Sequence, residues 1–287
     1  MALRTREDVL NEFVRILDQG TTALKRVVEA YEANRNPERD VHWLSLQAGK
    51  EFGAITLQHA RANDLLARGE GVGAVSEMCH AVEEEAEHYA AYVGVLKTLA
   101  DPATQPVEGM YDYVRVKAVE NGRVILHENM LDRGPKQFPA NHRYFEETLE
   151  AMDKLSAWGR QAVMAQFEGG AVGWHWAMSK LAPVDDYAAA VSKLEKMIAD
   201  DEIHHGPEGL RPLADAYTED MSDEADEVFR LIRHFRHLEV LQRNEQFLYP
   251  MSDEEAEALG RSIVDDTIEP TPLFARAMAH SPATASV

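Results

Sequence analysis

The stretch MIADDEIHHGPEGL, residues 197–210, places Asp200, Asp201, Glu202, His204 and His205 within six residues, at the end of a segment with helical apolar spacing. Two readings fit it. A solvated acidic helix end would leave the fold open. Half of a metal site would fix much of it, because metal sites in helical proteins are assembled from side chains on facing helices.

Residues three apart on an α-helix share a face about one turn apart, so Glu-x-x-His can offer a carboxylate and an imidazole to one ion. The pattern is cheap, since this composition yields roughly two acid-x-x-His pairs by chance. Four occur here: Glu77/His80, Glu85/His88, Asp201/His204 and Glu202/His205. Spacing separates them. Glu51 precedes Glu85 by 34 residues, and Glu168 precedes Glu202 by the same 34. The midpoints, 68 and 185, fall in the turn-like stretches RGEGVG (68–73) and APVDD (182–186). Two antiparallel helical hairpins joined there hold Glu51 level with Glu85 and Glu168 level with Glu202, each pair roughly 25 Å from its turn. Glu77 has no such partner, because position 43 is Trp. Glu85 and Glu168 are 83 residues apart, not a multiple of 34, which excludes a repeat array and favours two hairpins joined by a long crossover.

The neighbours of the four glutamates on their helical faces are mostly apolar: Leu44, Ala48, Ala54 and Ile55 around Glu51; Met78, Ala81, Val82 and Tyr89 around Glu85; Met164, Ala165, Ala171 and Val172 around Glu168; Ile198 and Ala199 before Glu202. All four are therefore expected on buried faces. A buried carboxylate needs a compensating cation, and two divalent ions cancel four glutamates.

Composition narrows the rest. The 287 residues allow one large domain or two small ones, with an ordinary hydrophobic share of 45%. Lys and Arg total 29 against 50 Asp and Glu, a formal charge of −21 that disfavours nucleic acid and anionic membranes as partners. Cys79 is the sole cysteine, excluding an intrachain disulfide and any four-cysteine zinc or iron site. The start, MALRTREDVLNEF, lacks the apolar run of a signal peptide, and no apolar stretch approaches the ~18 residues of a membrane span. A cytoplasmic protein is the expectation.

The periodicity predicts helices over 6–32 (with Gly20 as a candidate break), 40–67 with Asp40 as N-cap, 74–100 stopped by Asp101-Pro102, 143–181, 187–205 broken by Gly206-Pro207, and 222–248 capped by Ser222. Two β-rich runs flanking Asn121-Gly122, within 111–127, predict a hairpin with a type I′ turn. From Pro270 onward the chain reads as loosely ordered.

One glutamate, a Glu-x-x-His some 30–35 residues later, and the same again after a crossover resemble the ferritin-like diiron carboxylate superfamily. The resemblance covers about residues 40–206 and implies an all-α ferritin-like four-helix bundle within one domain over 1–287. That domain has an N-terminal helix, a hairpin-bearing crossover (101–142), C-terminal helices (207–268) and a loose tail (270–287). It implies two iron ions, with Mn/Fe as the other pairing. Glu51 and His88 would be terminal ligands of one ion, Glu168 and His205 of the other, and Glu85 and Glu202 would bridge. It also implies that the acid before each second glutamate hydrogen-bonds a ligand histidine. Asp201 matches that role, and Glu84 is a longer substitute. Gly206-Pro207 departs from the pattern, since the fourth helix of such bundles usually continues.

Weaker readings attach to other residues. His204 reads as a neighbour of the site or a surface residue. His175, seven residues after Glu168, reads as cavity lining or an additional nitrogen ligand. Trp174, Trp176, Tyr89 and Tyr92 read as packing. The arginines of FRLIRHFRHLEVLQR (229–243) read as a solvated face, with an anion-binding role as the other option. The hairpin-bearing crossover and the helices after 206 exceed what a bare bundle requires, and such additions build pockets and lids. The expected function is therefore an O2-dependent diiron oxygenase or oxidase acting on a small organic substrate. It would be fed by an electron donor such as a reductase or ferredoxin, and a homodimer is expected. The alternative is a rubrerythrin-like peroxidase or an iron-handling ferritin-like protein.

Overall fold

The computed structural model describes residues 4–99, 116–121, 123–126, 136–203 and 205–280. The described chain is all-α apart from one two-stranded sheet, and none of its helices is long and apolar enough to cross a membrane. It forms two compact units, one of Met1–Asn34, Tyr144–Asn244 and Tyr249–Val287, the other of Arg35–Arg143 and Glu245–Leu248.

In the second unit, α2 (Pro37–Ala67) packs along α3 (Val72–Leu99). The N-cap of α2 is Asn36, whose side chain accepts the Arg39 N–H at 3.0 Å. Asp40, expected in that role, is instead buried in the first turn and accepts from Arg35 Nε at 3.2 Å. Asn36-Pro37 is the stronger start signal, since Pro is preorganised for the first helical position. The turn after α2 passes through Gly69 at φ +72°, a conformation that favours glycine. Strands β1 (Val116–Glu120) and β2 (Arg123–Leu126) pair antiparallel, with Glu120 opposite Arg123. Asn121 has the positive φ of a type I′ turn, 51°, and Asp64 accepts its N–H at 2.7 Å, fixing the hairpin tip to the end of α2. Most of the crossover (100–115, 127–135) and Gly122 lie outside the described residues.

The first unit is built on α1 (Arg6–Ala33), held at its start by a capping box in which Thr5 Oγ1 accepts from Asp8 N and Asp8 from Thr5 N. No break occurs at Gly20. That residue is buried inside the helix, where a Cβ would lie 3.0 Å from Arg236 Cδ. The helix expected over 143–181 is two, α4 (Pro139–Met152) and α5 (Ala157–Met178). Ser156 starts the second by accepting the Gly159 N–H at 3.2 Å, and its own N–H goes to Glu224 Oε1 at 3.1 Å. After α6 (Asp186–Glu202), capped by Asp185, α7 (His205–Ala216) begins. The interruption therefore precedes Gly206-Pro207. Pro207 sits in the first turn of α7, where a missing N–H costs nothing because the first four N–H groups have no intrahelical acceptor.

A 3-10 turn (Glu219–Met221) leads into α8 (Ser222–Gln246), in which Ser222 is already helical. Then come α9 (Asp253–Val264) and α10 (Leu273–His280). The core gathers Val9, Phe13 and Leu17 of α1, Trp158 and Val163 of α5, Leu210 and Leu213 of α7, and Phe229, Ile232 and Phe235 of α8. Three of the arginines expected on a solvated face of α8, Arg233, Arg236 and Arg243, are buried, while Arg230 is exposed beside Glu227. Arg236 bonds Glu239 at 2.6 Å, and Arg243 lies 4.4 Å from the Trp174 ring centroid. Burial among these groups pushes the Tyr144 phenol far above its ordinary range, with Glu239 adding to the rise.

Helix α10 occupies part of the segment expected to be loose, and Asp18 explains why. Its buried carboxylate accepts the N–H groups of Phe274 (2.7 Å) and Ala275 (3.3 Å), while Phe274 itself is buried. Burial outweighs those hydrogen bonds and pushes the Asp18 carboxyl up to about 6. A folded-state pKa above the unfolded one means that the folded protein holds the proton more tightly. This contribution to stability is therefore full below about pH 4 and lost as pH rises through about 6. Asp18→Asn keeps an acceptor and removes the titration. Its urea midpoint should rise relative to the parent between pH 5 and pH 7.5, and an unchanged difference would show that Asp18 titrates normally.

Candidate metal centre

The packing of α2 on α3 brings three donors together. One ligand atom from each of Glu51, Glu85 and His88 falls within 4.8 Å of the others, and among the described residues this is the one such group of three. His88 Nδ1 lies 3.9 Å from Glu51 Oε2 and 4.0 Å from Glu85 Oε2, beyond hydrogen-bond range. Donors about 2.1 Å from a common first-row ion sit roughly 3–4 Å apart, so the spacing suits an ion between them. The side chains of His88 and Glu51 are 7% and 11% exposed and that of Glu85 is 21% exposed. Two carboxylates and one imidazole carry two negative charges, which a divalent ion balances, and the donor set suits manganese, iron or zinc.

The register has a visible cause. Trp43 meets Tyr92 edge-on with centroids 6.1 Å apart, and Phe52 meets Tyr89 at 6.0 Å. The second contact lies beside Glu51 and His88 and the first lies further from the turn, so the tyrosines serve as packing that holds the two helices in step. Glu77 and His80 are exposed on the same α3. Glu84 departs from the expected support of a ligand histidine: its carboxylate is 3.4 Å from His80 Nε2, at a surface position.

The other expected ligand group, Glu168, Glu202 and His205, is placed differently. Glu168 is on α5 and Glu202 is the last residue of α6, two helices that pack together. The contact that sets their register is buried: His175 Nδ1 and Glu195 Oε2 are 2.7 Å apart, with the Glu195 side chain 0% exposed. Residues 175 and 195 share the midpoint 185 with residues 168 and 202, so two turns along both helices Glu168 comes level with Glu202. His175 is thus occupied at Nδ1 by Glu195 and acts as a clamp between α5 and α6. Sequence reasoning missed Glu195, although reflecting His175 about position 185 points to it.

Burial was expected for all four glutamates. Glu51 is buried and Glu85 and Glu202 are half-buried, but Glu168 is exposed, because a groove between α5 and α7 opens beside it. Glu202 and His205 do not share one helix, since α6 ends at Glu202 and His205 opens α7. The His205 side chain and all of His204 lie outside the described residues, and Asp201 is exposed. Comparison with protein-family models, curated proteins and solved structures finds no match. The class defined by fold and site is therefore an all-α protein with a Glu–Glu–His group able to hold a metal ion.

Proposed function

We propose that the chain is a metal-dependent oxidoreductase of the ferritin-like diiron kind, using O2 to oxidise a small organic substrate. The observation that carries this reading is the convergence of Glu51, Glu85 and His88 from two packed helices. It is supported by the repetition of the motif in α5 and α6, where the His175–Glu195 clamp sets Glu168 level with Glu202, three residues before His205. Glu51 and Glu85 supply charge and oxygen donors, and His88 supplies a nitrogen from the buried side. Bound ferrous iron would supply the electrons for reduction of O2, chemistry that amino-acid side chains do not provide. Turnover then requires an electron donor, a reductase or ferredoxin, and Mn/Fe is the alternative metal pair.

Anaerobic loading with Fe(II) followed by elemental analysis tests the assignment. Two ions per chain are expected. Glu51→Gln, Glu85→Ala and His88→Ala should each lose at least half of the metal, whereas Glu77→Ala should retain it. Equal loss in Glu77→Ala would sink the assignment, and one ion per chain in the parent would restrict it to a mononuclear centre at α2–α3. Mixing the loaded protein separately with O2 and with H2O2 then divides the reactions: faster oxidation by O2 supports the oxygenase, and much faster oxidation by H2O2 makes the protein a peroxidase.

A further inference from the structure

Between α5 and α7 the first unit has a groove of about 530 Å³, within the size range of small-molecule sites. Ala165 and Gly209 line it from the two helices: a Cβ on Gly209 would lie 3.7 Å from Ala165 Cβ, so a residue without a side chain leaves the hollow open. Met164, Pro212 and Leu213 make the walls apolar. Only two lining residues are charged, Arg160 and Glu168, both on α5 and eight residues apart, which is roughly 12 Å along the helix. Arg160 donates Nη1–H to Leu155 O at 2.7 Å, and its other guanidinium N–H groups have no partner among the described residues.

We propose that this groove binds an elongated carboxylic acid, its carboxylate on Arg160 and its apolar body laid toward Glu168. This rests on the reading of Glu168 as a metal ligand, which makes the far end of the acid the part presented for oxidation. Charge selects the class and the direction. Guanidinium binds carboxylate through paired N–H donors, while Glu168 repels a carboxylate at the opposite end. The chain's net charge of −21 opposes anions at long range, but at 0.1 M salt charges beyond about 10 Å are screened and the local pair decides. An acid therefore has one orientation in the groove, and a neutral chain of equal length has two.

The test is calorimetric titration of the full chain, metal-free and iron-loaded, with decanoate, 1-decanol and decylamine. Decanoate is expected to bind at least tenfold more tightly than decanol in both forms. Arg160→Gln should abolish that preference and leave decanol unchanged. Gln161→Trp, which fills the groove from an exposed lining position, should weaken both by tenfold or more while circular dichroism stays unchanged. Equal affinity for decanoate and decanol, no binding of either, or tighter binding of decylamine that Glu168→Gln removes would each overturn the proposal. Because the metal-free form is included, the two readings fail separately. A chain without metal that still prefers decanoate keeps the groove and loses the diiron reading. A chain with two metals and no preference does the reverse.

Discussion

Gly170→Ala should lower the unfolding free energy by about 3 kcal/mol, a small methyl group with the effect of a large core lesion. A Cβ at that position would lie 1.7 Å from Arg236 Nη1 and 2.6 Å from its Cζ. An arginine tip usually swings aside at little cost. This one cannot, because its side chain is 1% exposed, Nη1 is bound to Glu239 at 2.6 Å, and Nη2 donates to the carbonyl of Gln166. On the α1 side, Gly20 leaves room for Arg236 Cδ. Moving the guanidinium would strip a buried Glu239 of its closest partner, and breaking a buried pair costs about 3–5 kcal/mol. The better helix propensity of Ala returns about 1 kcal/mol. Chemical denaturation measures the net loss. Gly94→Ala, in the open on α3, is the control and should be neutral or slightly stabilising. Replacing Arg236 and Glu239 together by Leu should remove most of the penalty of Gly170→Ala. An unchanged denaturation midpoint in Gly170→Ala alone would mean that the guanidinium is not confined between α1 and α5.

The same arginine shows where the sequence was readable and where it was not. Periodicity located α2 and α3 to within a few residues, and arithmetic on Glu51 and Glu85 anticipated their meeting, because a short turn leaves antiparallel helices only one register. The α8 segment misled for a physical reason. Arg236, Glu239 and Arg243 are spaced three and four residues apart, so they neutralise one another within the helix and can be buried together. By composition the same residues resemble a solvated face. The compensating signal lay elsewhere in the chain: Gly169, Gly170 and Gly173 make one side of α5 thin, and their Cβ positions are taken by Leu17, Arg236 and Thr21. No local rule links a glycine at 170 to an arginine at 236. The break before Ser156 was missed because Leu155 and Trp158 continue the apolar spacing through it, leaving a capping serine as the only stop signal. Helix α10 was missed because its anchor, Asp18, is more than 250 residues away.

Metal should stabilise the parent by about 2.7 kcal/mol at one hundred times its dissociation constant, and more at higher excess. The variants then divide in a way that surface carboxylates could not reproduce. Without metal, Glu51 and Glu85 hold two negative groups beside His88 in a mostly buried place, and like charges brought together in low dielectric oppose folding. Removing one of them relieves that opposition. Metal-free Glu85→Gln, which keeps the size of the side chain, should therefore melt at or above the metal-free parent, yet gain almost nothing when iron is added. Parent and variant change order as metal is titrated in. His88→Gln should lose the metal response without the gain in the metal-free form, because it leaves both carboxylates in place. Thermal melts of the three proteins, each with and without Fe(II) under anaerobic conditions, give the comparison directly. If Glu85→Gln is less stable than the parent without metal and responds equally to iron, the carboxylate serves α2–α3 packing instead, and the ligand set must be sought elsewhere on these helices.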